Sequence, residues 1–217
     1  MEHKKINWRN HFFEFIVVIL GILIAFQLNT CRESAQEQDL VKEHLQNIVE
    51  ETEFNKNSLI TNIESGDHLM SKIDSLMAYI ASQRDLDTIN RLSLQLLALD
   101  YTYLKKTAYN SLVETGDIRF INDFELKNEI VSIYEYYKWL EGIDASTRSS
   151  YGDMYFPYVV ENMDLIDYRT QNEAVYQNKL FKNYLSVYRY SMEYRLKKQK
   201  EVFGILNTFL EENKASK

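Results

Sequence analysis

The stretch EFIVVILGILIAFQLNTC, residues 14–31, constrains this chain more than any other part of its sequence. The run from Phe12 to Leu28 contains only two polar residues, Glu14 and Gln27. A helix needs about 17–25 residues to cross the hydrocarbon core of a bilayer. We therefore predict that residues 12–31 form a transmembrane helix.

The charges on the two sides of this run predict its orientation. Basic residues precede it, and acidic residues dominate the segment 32–39 that follows; the basic residues are Lys4, Lys5 and Arg9. Lys and Arg are retained on the cytoplasmic side of a membrane. Residues 1–11 are thus expected to be a short cytoplasmic tail. Residues 32–217 are expected to be an extracytoplasmic (periplasmic) domain, anchored in the cell (inner) membrane by a single span.

Three other interpretations of the apolar run stay open. A cleaved signal peptide needs small residues before its cleavage site, and AFQLNTC has bulky or polar residues there. A lipoprotein signal is compatible with Leu28 three residues before Cys31, although Asn29 and Thr30 suit such a site poorly. The run could also be a core helix of a soluble protein.

Two segments resemble the signatures of a bacterial family of membrane-anchored proteins, domain of unknown function 6090. VVILGILIAFQLNTCRE is similar to the family's anchor, which commonly reads VVIGILIALQINNWNE. TAYNSLVETGDIRFINDFELKNEIVSIYEYY, residues 107–137, is similar to a second signature, in which a helix, a Gly-containing break and another helix follow one another. This chain departs from the family at Cys31, where Trp is frequent. The resemblance implies architecture and location, and no activity.

The composition beyond the anchor predicts an all-α fold. Pro occurs once and Gly six times in 217 residues, whereas sheet-rich folds need many turns marked by these residues. Apolar residues recur at spacings of three, four and seven from Glu33 to about Ser82, which predicts one long amphipathic helix that continues the anchor. Gly66 could kink or end it. The expected whole is an antiparallel helical bundle.

The remaining boundaries follow from the same periodicity and from capping residues. Gly116 suits the left-handed position that ends a helix, and Asn122 or Asp123 suits the start of the next one. The segment IRFI between them is expected to be extended or a turn. The helices are predicted over 86–101, 104–114, about 122–146 and 173–212, with an irregular segment over 149–170 that holds Pro157.

Charge and motifs exclude several function classes. The net charge of −7 disfavours binding to nucleic acid, which needs clustered Lys and Arg. Of four histidines, only His68 has a suggestive neighbour, Glu64, and two residues do not make a metal site. The chain has no nucleophile motif or phosphate-binding loop. We expect no enzyme activity, no cofactor and no metal.

The tyrosines are the most informative residues of the exterior part. There are 16, grouped in YTY, YEYYKW, YGDMYFPYVV and YLSVYRY. Tyr suits both core edges and interfaces, because its ring is apolar and its hydroxyl needs a partner. Most are expected in the core. Tyr136 points away from the face shared by Tyr134 and Tyr137, and Tyr136, Tyr155 and Tyr158 are the candidates for contacts with a partner or ligand.

Residues of the anchor suggest association inside the membrane. Gly21 and Ala25 are four residues apart and form a small-x-x-x-small face that lets helices approach closely. Glu14 lies seven residues before Gly21; it either contacts a partner or extends to water or Arg9 at the cytoplasmic end. A homo-oligomer or a complex with another envelope protein is expected.

These features together predict a single-pass protein that acts in binding or assembly, as an envelope scaffold or accessory subunit. The alternative is a sensory or small-ligand-binding module. A pocket lined by Tyr155 and Tyr158 would favour ligand binding, and a solid core would favour assembly.

Overall fold

The computed structural model describes residues 8–83, 85–170 and 172–214. Within them the fold is all-α, as predicted, with no β-strand and one isolated bridge between Asp164 and Arg169. The predicted cytoplasmic tail lies largely outside the described residues. The helices are α1 (Trp8–Ser82), α2 (Leu86–Gln95), α3 (Thr107–Glu114), α4 (Phe124–Ser149), α5 (Phe156–Asn162), α6 (Ala174–Gln177) and α7 (Lys179–Lys214).

The first helix, α1, is continuous from the apolar run into the folded domain. Of the alternatives that the sequence left open at Gly66, an end of the helix is excluded, because α1 continues to Ser82. The reason is packing: a Cβ atom on Gly66 would lie 2.6 Å from Leu196 Cδ2. The missing side chain lets α7 pass close to α1, and the contact stabilises the helix where glycine alone would weaken it.

The long helices α1, α4 and α7 frame the domain. Ion pairs show the relative directions of these helices. Asp67 of α1 contacts Lys200 of α7, and Asp74 of α1 contacts Arg189 of α7, so the two helices are antiparallel. Arg195 of α7 reaches Asp144 of α4, and Ser191 reaches Ser150, the residue that follows the end of α4, so α7 is antiparallel to α4 as well.

The interior consists of two apolar clusters stacked along the helices. The anchor-side core includes Ile48, Leu59, Leu112, Ile130, Tyr134, Tyr137, Leu206 and Phe209. The distal core includes Leu69, Ile73, Leu76, Tyr155, Tyr158, Phe181, Tyr188 and Met192. The apolar stripe of α1 faces both cores, so the domain itself uses the stripe that the sequence shows from residue 41 onwards.

The break between α3 and α4 matches the predicted capping. Gly116 has φ 79° and ψ 8°, the left-handed region. The Asp123 side chain accepts hydrogen bonds from the backbone N–H groups of Glu125 and Leu126, so Asp123 is the N-cap of α4. Between them, Asp117–Phe120 forms a turn of 3-10 helix, a compact version of the turn expected for IRFI.

The segment predicted to be irregular, 149–170, is helical for more than half its length. A π-helical turn, Ser150–Tyr155, connects α4 directly to α5. Pro157 lacks the N–H that would bond to the carbonyl four residues earlier, and wide turns of this kind accommodate such a gap. Within 149–170, the irregular backbone is the part after Asn162, which leads from α5 towards α6.

The apolar run lies outside both cores. Each described side chain from Phe12 to Leu40 is exposed. The helix is long and apolar enough to cross a membrane, with a mean hydropathy of 2.2 over its most apolar window and none of that window buried. This surface excludes the interpretation of the run as a core helix of this domain.

Candidate binding groove and buried polar layer

A layer of buried polar side chains lies where the two cores meet. Arg195 is only 2% exposed and Asp144 only 5%. Arg195 Nε donates to Asp144 Oδ1 at 2.7 Å, and its Nη2 donates to the carbonyl of Asp100 at 2.8 Å. Asp144 Oδ2 accepts from the backbone N–H of Thr102 at 2.8 Å. The ion pair therefore holds the backbone of residues 100–102.

A second group of side chains, from α1, holds the next part of the same segment. Asn55 is fully buried; its amide donates to the carbonyl of Lys105 at 2.8 Å and accepts from the N–H of Lys105 at 2.7 Å. Glu51 accepts from the N–H of Ala108 at 2.9 Å and from the Tyr134 hydroxyl at 2.6 Å. Glu51 thereby caps α3 from another helix.

These contacts give the polar layer a structural role. The segment 98–105 has no helical hydrogen bonds of its own, and unpaired backbone groups inside a protein are costly. Burial, with the carboxylate of Glu51 nearby, raises the pKa of the Tyr134 hydroxyl well above its usual range. That hydroxyl is a permanent donor and not an acid–base group. The sequence does not predict the buried role of Arg195, because this residue belongs to the basic stretch RLKKQK and nothing in that stretch distinguishes it from its neighbours.

A buried pair ties the 3-10 turn to α1. His44 Nε2 lies 3.0 Å from Asp117 Oδ2, and both residues are at least nine-tenths buried. The Thr115 hydroxyl, followed by the His44 ring, lowers the pKa of Asp117 below its usual range. The pair anchors the second signature segment to the long helix.

A groove with a volume of about 420 Å³ lies between α4 and α7. Its floor consists of Ile143 and of small or hydroxylated residues, Gly142, Ser146, Thr147 and Ser191; its walls are Lys138, Trp139, Tyr190 and Tyr194. A Cβ atom on Gly142 would meet nothing within 4 Å, so the floor is open. Tyr190 is 71% exposed.

One end of the groove is closed by a cation. Lys198 Nζ lies 4.7 Å from the ring centroid of Trp139 and 5.9 Å from that of Tyr194. It also contacts Glu201 at 2.7 Å, which raises the pKa of Lys198. The ammonium group thus lies close to one ring on α4 and one on α7, where a cation is attracted to the face of an aromatic ring.

The predicted contact tyrosines have different places. Tyr136 is partly buried and its ring centroid is 6.2 Å from that of Trp139, at the margin of the groove. Tyr155 and Tyr158 are buried in the distal core, where their hydroxyls donate to the carbonyls of Ser93 and Val175. The last two tyrosines are core residues, and no surface contact is open to them. The sequence analysis did not single out Trp139, Tyr190 and Tyr194, which form the groove walls.

The other candidate residues named from the sequence lie on α1, at its exposed end and beside a second depression. Glu14, Gly21 and Ala25 lie on the exposed part of α1. His68 and Glu64 border a shallow polar depression beside Asp100. The described part of the chain holds no group of three His, Cys, Asp or Glu side chains that could bind a metal ion.

Comparison with known proteins returned no family model, no curated protein and no solved structure that matches this chain. The resemblance of residues 17–33 and 107–137 to a family of membrane-anchored proteins therefore stays a prediction.

Proposed function

We propose that this chain is a single-pass membrane protein that presents a rigid helical module outside the cytoplasm, where it binds another protein chain as a scaffold or accessory subunit of the envelope. The observation that carries the proposal is the run 12–28, whose apolar side chains are all exposed at one end of a helix that is packed at its other end. A contiguous apolar surface of this size needs a bilayer to cover it.

Two features support binding to a protein chain. Tyr155 and Tyr158 are packed in the distal core and line neither the groove nor the depression beside Asp100, and a packed core is the feature expected of an assembly protein. The groove combines Trp and Tyr walls with a Gly and Ser floor, the composition that recurs in protein-binding surfaces because rigid rings contribute area at small entropic cost. Its lining contains no carboxylate, His or Cys.

The orientation can be tested by a reporter that is active only outside the cytoplasm, fused after Lys217. We expect activity, because Lys4, Lys5 and Arg9 precede the span and retain the N-terminus inside. An inactive reporter, with the same fusion active when placed before residue 8, would reverse the assignment.

Binding can be tested by a photo-reactive side chain introduced at Tyr194 in intact cells, with Tyr79 as the matched control. Both tyrosines are similarly exposed, at 42% and 37%, but Tyr79 lies on α1, away from the groove. We expect a discrete protein adduct from position 194 alone. Equal adducts at both positions, or none at 194, would contradict a binding role for the groove.

A further inference from the structure

We propose that the groove between α4 and α7 binds a second copy of this chain, so that two molecules in the same membrane pair groove to groove about a two-fold axis parallel to their long helices. The proposal rests on the proposed function, since a shared membrane is what makes the two copies parallel.

Anchoring restricts the symmetry of such a pair. Two copies held by the same end in one bilayer cannot be antiparallel, so the two-fold axis runs along the helices. Rotation about that axis places α4 of one copy opposite α7 of the other, at equal height. Two contacts within each copy show which residues of α4 and α7 lie at the same height along the helix axes. Trp139 lies beside Lys198, and Asp144 lies beside Arg195.

The groove has both the projections and the recess that a two-fold contact requires. Trp139 and Tyr190 project from its walls, and Gly142 and Ser146 form an open floor between them. In the pair, the rings of each copy enter the floor of the other. Trp139 Nε1–H and the hydroxyls of Tyr190 and Tyr194 donate to no atom in the part of the chain that the structure describes. They are available to the second copy.

Charges at the level of Trp139 are complementary across this axis. On α4, Lys138 lies six residues before Asp144; on α7, Glu201 lies six residues after Arg195, the partner of Asp144. Because the two helices are antiparallel, Lys138 and Glu201 are at the same height. Since α4 opposes α7 of the second copy, Lys138 of each copy faces Glu201 of the other. The contact occurs twice by symmetry, which doubles its contribution to the free energy of association.

The groove pair is distinct from a contact through the anchor. Leu196 is on the side of α7 that contacts α1, and Tyr194 lies two residues earlier, about 200° round the helix. The groove therefore faces away from α1, and the two anchors stand apart in the pair. Gly21 and Ala25 do not meet within it.

The test is cysteine cross-linking of the full-length protein in its membrane, in a Cys31→Ser background because Cys31 is exposed. Ser146→Cys places a thiol on the groove floor near the axis, and Ser71→Cys is the control on the exposed face of α1. With a short bis-maleimide we expect a dimer from position 146 and none from 71. Adding Gly21→Ile and Ala25→Ile should leave the position 146 dimer unchanged.

Charge exchange tests the register. Lys138→Glu should reduce the cross-linked fraction by about fivefold, because a like charge then faces Glu201 twice in each pair. Adding Glu201→Lys should restore it. Failure of the second change to restore the dimer, or no loss with the first, would overturn the proposed register.

A membrane-impermeant maleimide separates the two proposals. If it labels Ser146→Cys from outside but the bis-maleimide yields no dimer, groove pairing is wrong and the extracytoplasmic location stands. If position 146 is labelled only after the membrane is opened, the location is wrong, and the pairing is then decided by the cross-link alone.

Discussion

Gly116 has a backbone conformation that few other residues adopt. Its φ of 79° is the left-handed region, where a Cβ atom is strained, although no neighbour lies within 4 Å of that position. Gly116→Ala should therefore lower the free energy of unfolding by about 1 kcal/mol through the backbone alone. Thermal unfolding in mild detergent, followed by circular dichroism, measures this.

Gly142→Ala is the matched control. Gly142 lies inside α4 with equal free space but without a positive φ. There Ala should stabilise the protein by up to about 1 kcal/mol, because Ala is the better helix former. Equal effects at 116 and 142 would remove the capping role of Gly116.

Asp117 makes stability depend on pH. Its pKa is lowered in the folded protein by the Thr115 hydroxyl and the His44 ring. The unfolded chain therefore takes up the proton first, near pH 4. The stabilisation is complete above that pH and is lost as the pH falls through the folded value.

Asp117→Asn should accordingly destabilise the protein at pH 7 and much less at pH 3. Chemical unfolding of both forms at each pH measures the difference. Glu37→Gln, on the exposed part of α1, controls for the loss of one negative charge. A penalty for Asp117→Asn that does not change with pH would contradict the role of this carboxylate.

At the scale of elements, the extended segment 98–106 depends on α1, α4 and α7 together. Arg195→Met would leave Asp144 buried without its cation, and the carbonyl of Asp100 without its donor. Breaking a buried pair on one side costs about 3–5 kcal/mol. We expect Arg195→Met to lower the denaturant midpoint strongly, with an unchanged slope.

The double variant Arg195→Met, Asp144→Leu tests the cause. It removes both charges and keeps apolar volume, so part of the loss should be recovered. The N–H of Thr102 still loses its acceptor, so recovery should be incomplete. If the double variant is no more stable than Arg195→Met, the uncompensated charge is not what destabilises the single variant.

The sequence predicted the long elements well because their hydrophobic period is local information. The stripe of α1, the cap at Asp123 and the break at Gly116 can each be read within a few residues. The end of α2 could not. LSLQLLALDY is apolar enough to continue a helix to 101, but α2 ends at Gln95, since side chains more than 40 residues away bind the backbone that follows.

The candidate site was predicted only at its margin. Tyr136 stood out because it interrupts a buried face, and it does contact Trp139. The groove itself needs the pairing of α4 with α7, which brings residues 139 and 194 together. Arg195 belongs to the basic stretch RLKKQK, and its burial could not be predicted there because it depends on Asp144 in another helix. Local patterns contain neither pairing.

At the scale of the whole molecule, the anchor and the domain are energetically separate. Residues 12–40 are exposed throughout, and the cores begin further along α1. The fragment 33–217 should therefore fold without detergent and unfold at the same temperature as the full-length protein, within about 2 °C. Differential scanning calorimetry checks this. A molten fragment would show that the anchor contributes to the core.

The uninterrupted course of α1 has a mechanical consequence. Helix bends occur at Pro, π-turns or unpacked glycine, and between the apolar run and the domain α1 has none of them. The anchor and the domain thus move as one lever. From the membrane surface to Ser82 the lever is about 75 Å long. A change of 20° in the tilt of the anchor, an ordinary amount for a membrane helix, would displace the far end by about 25 Å.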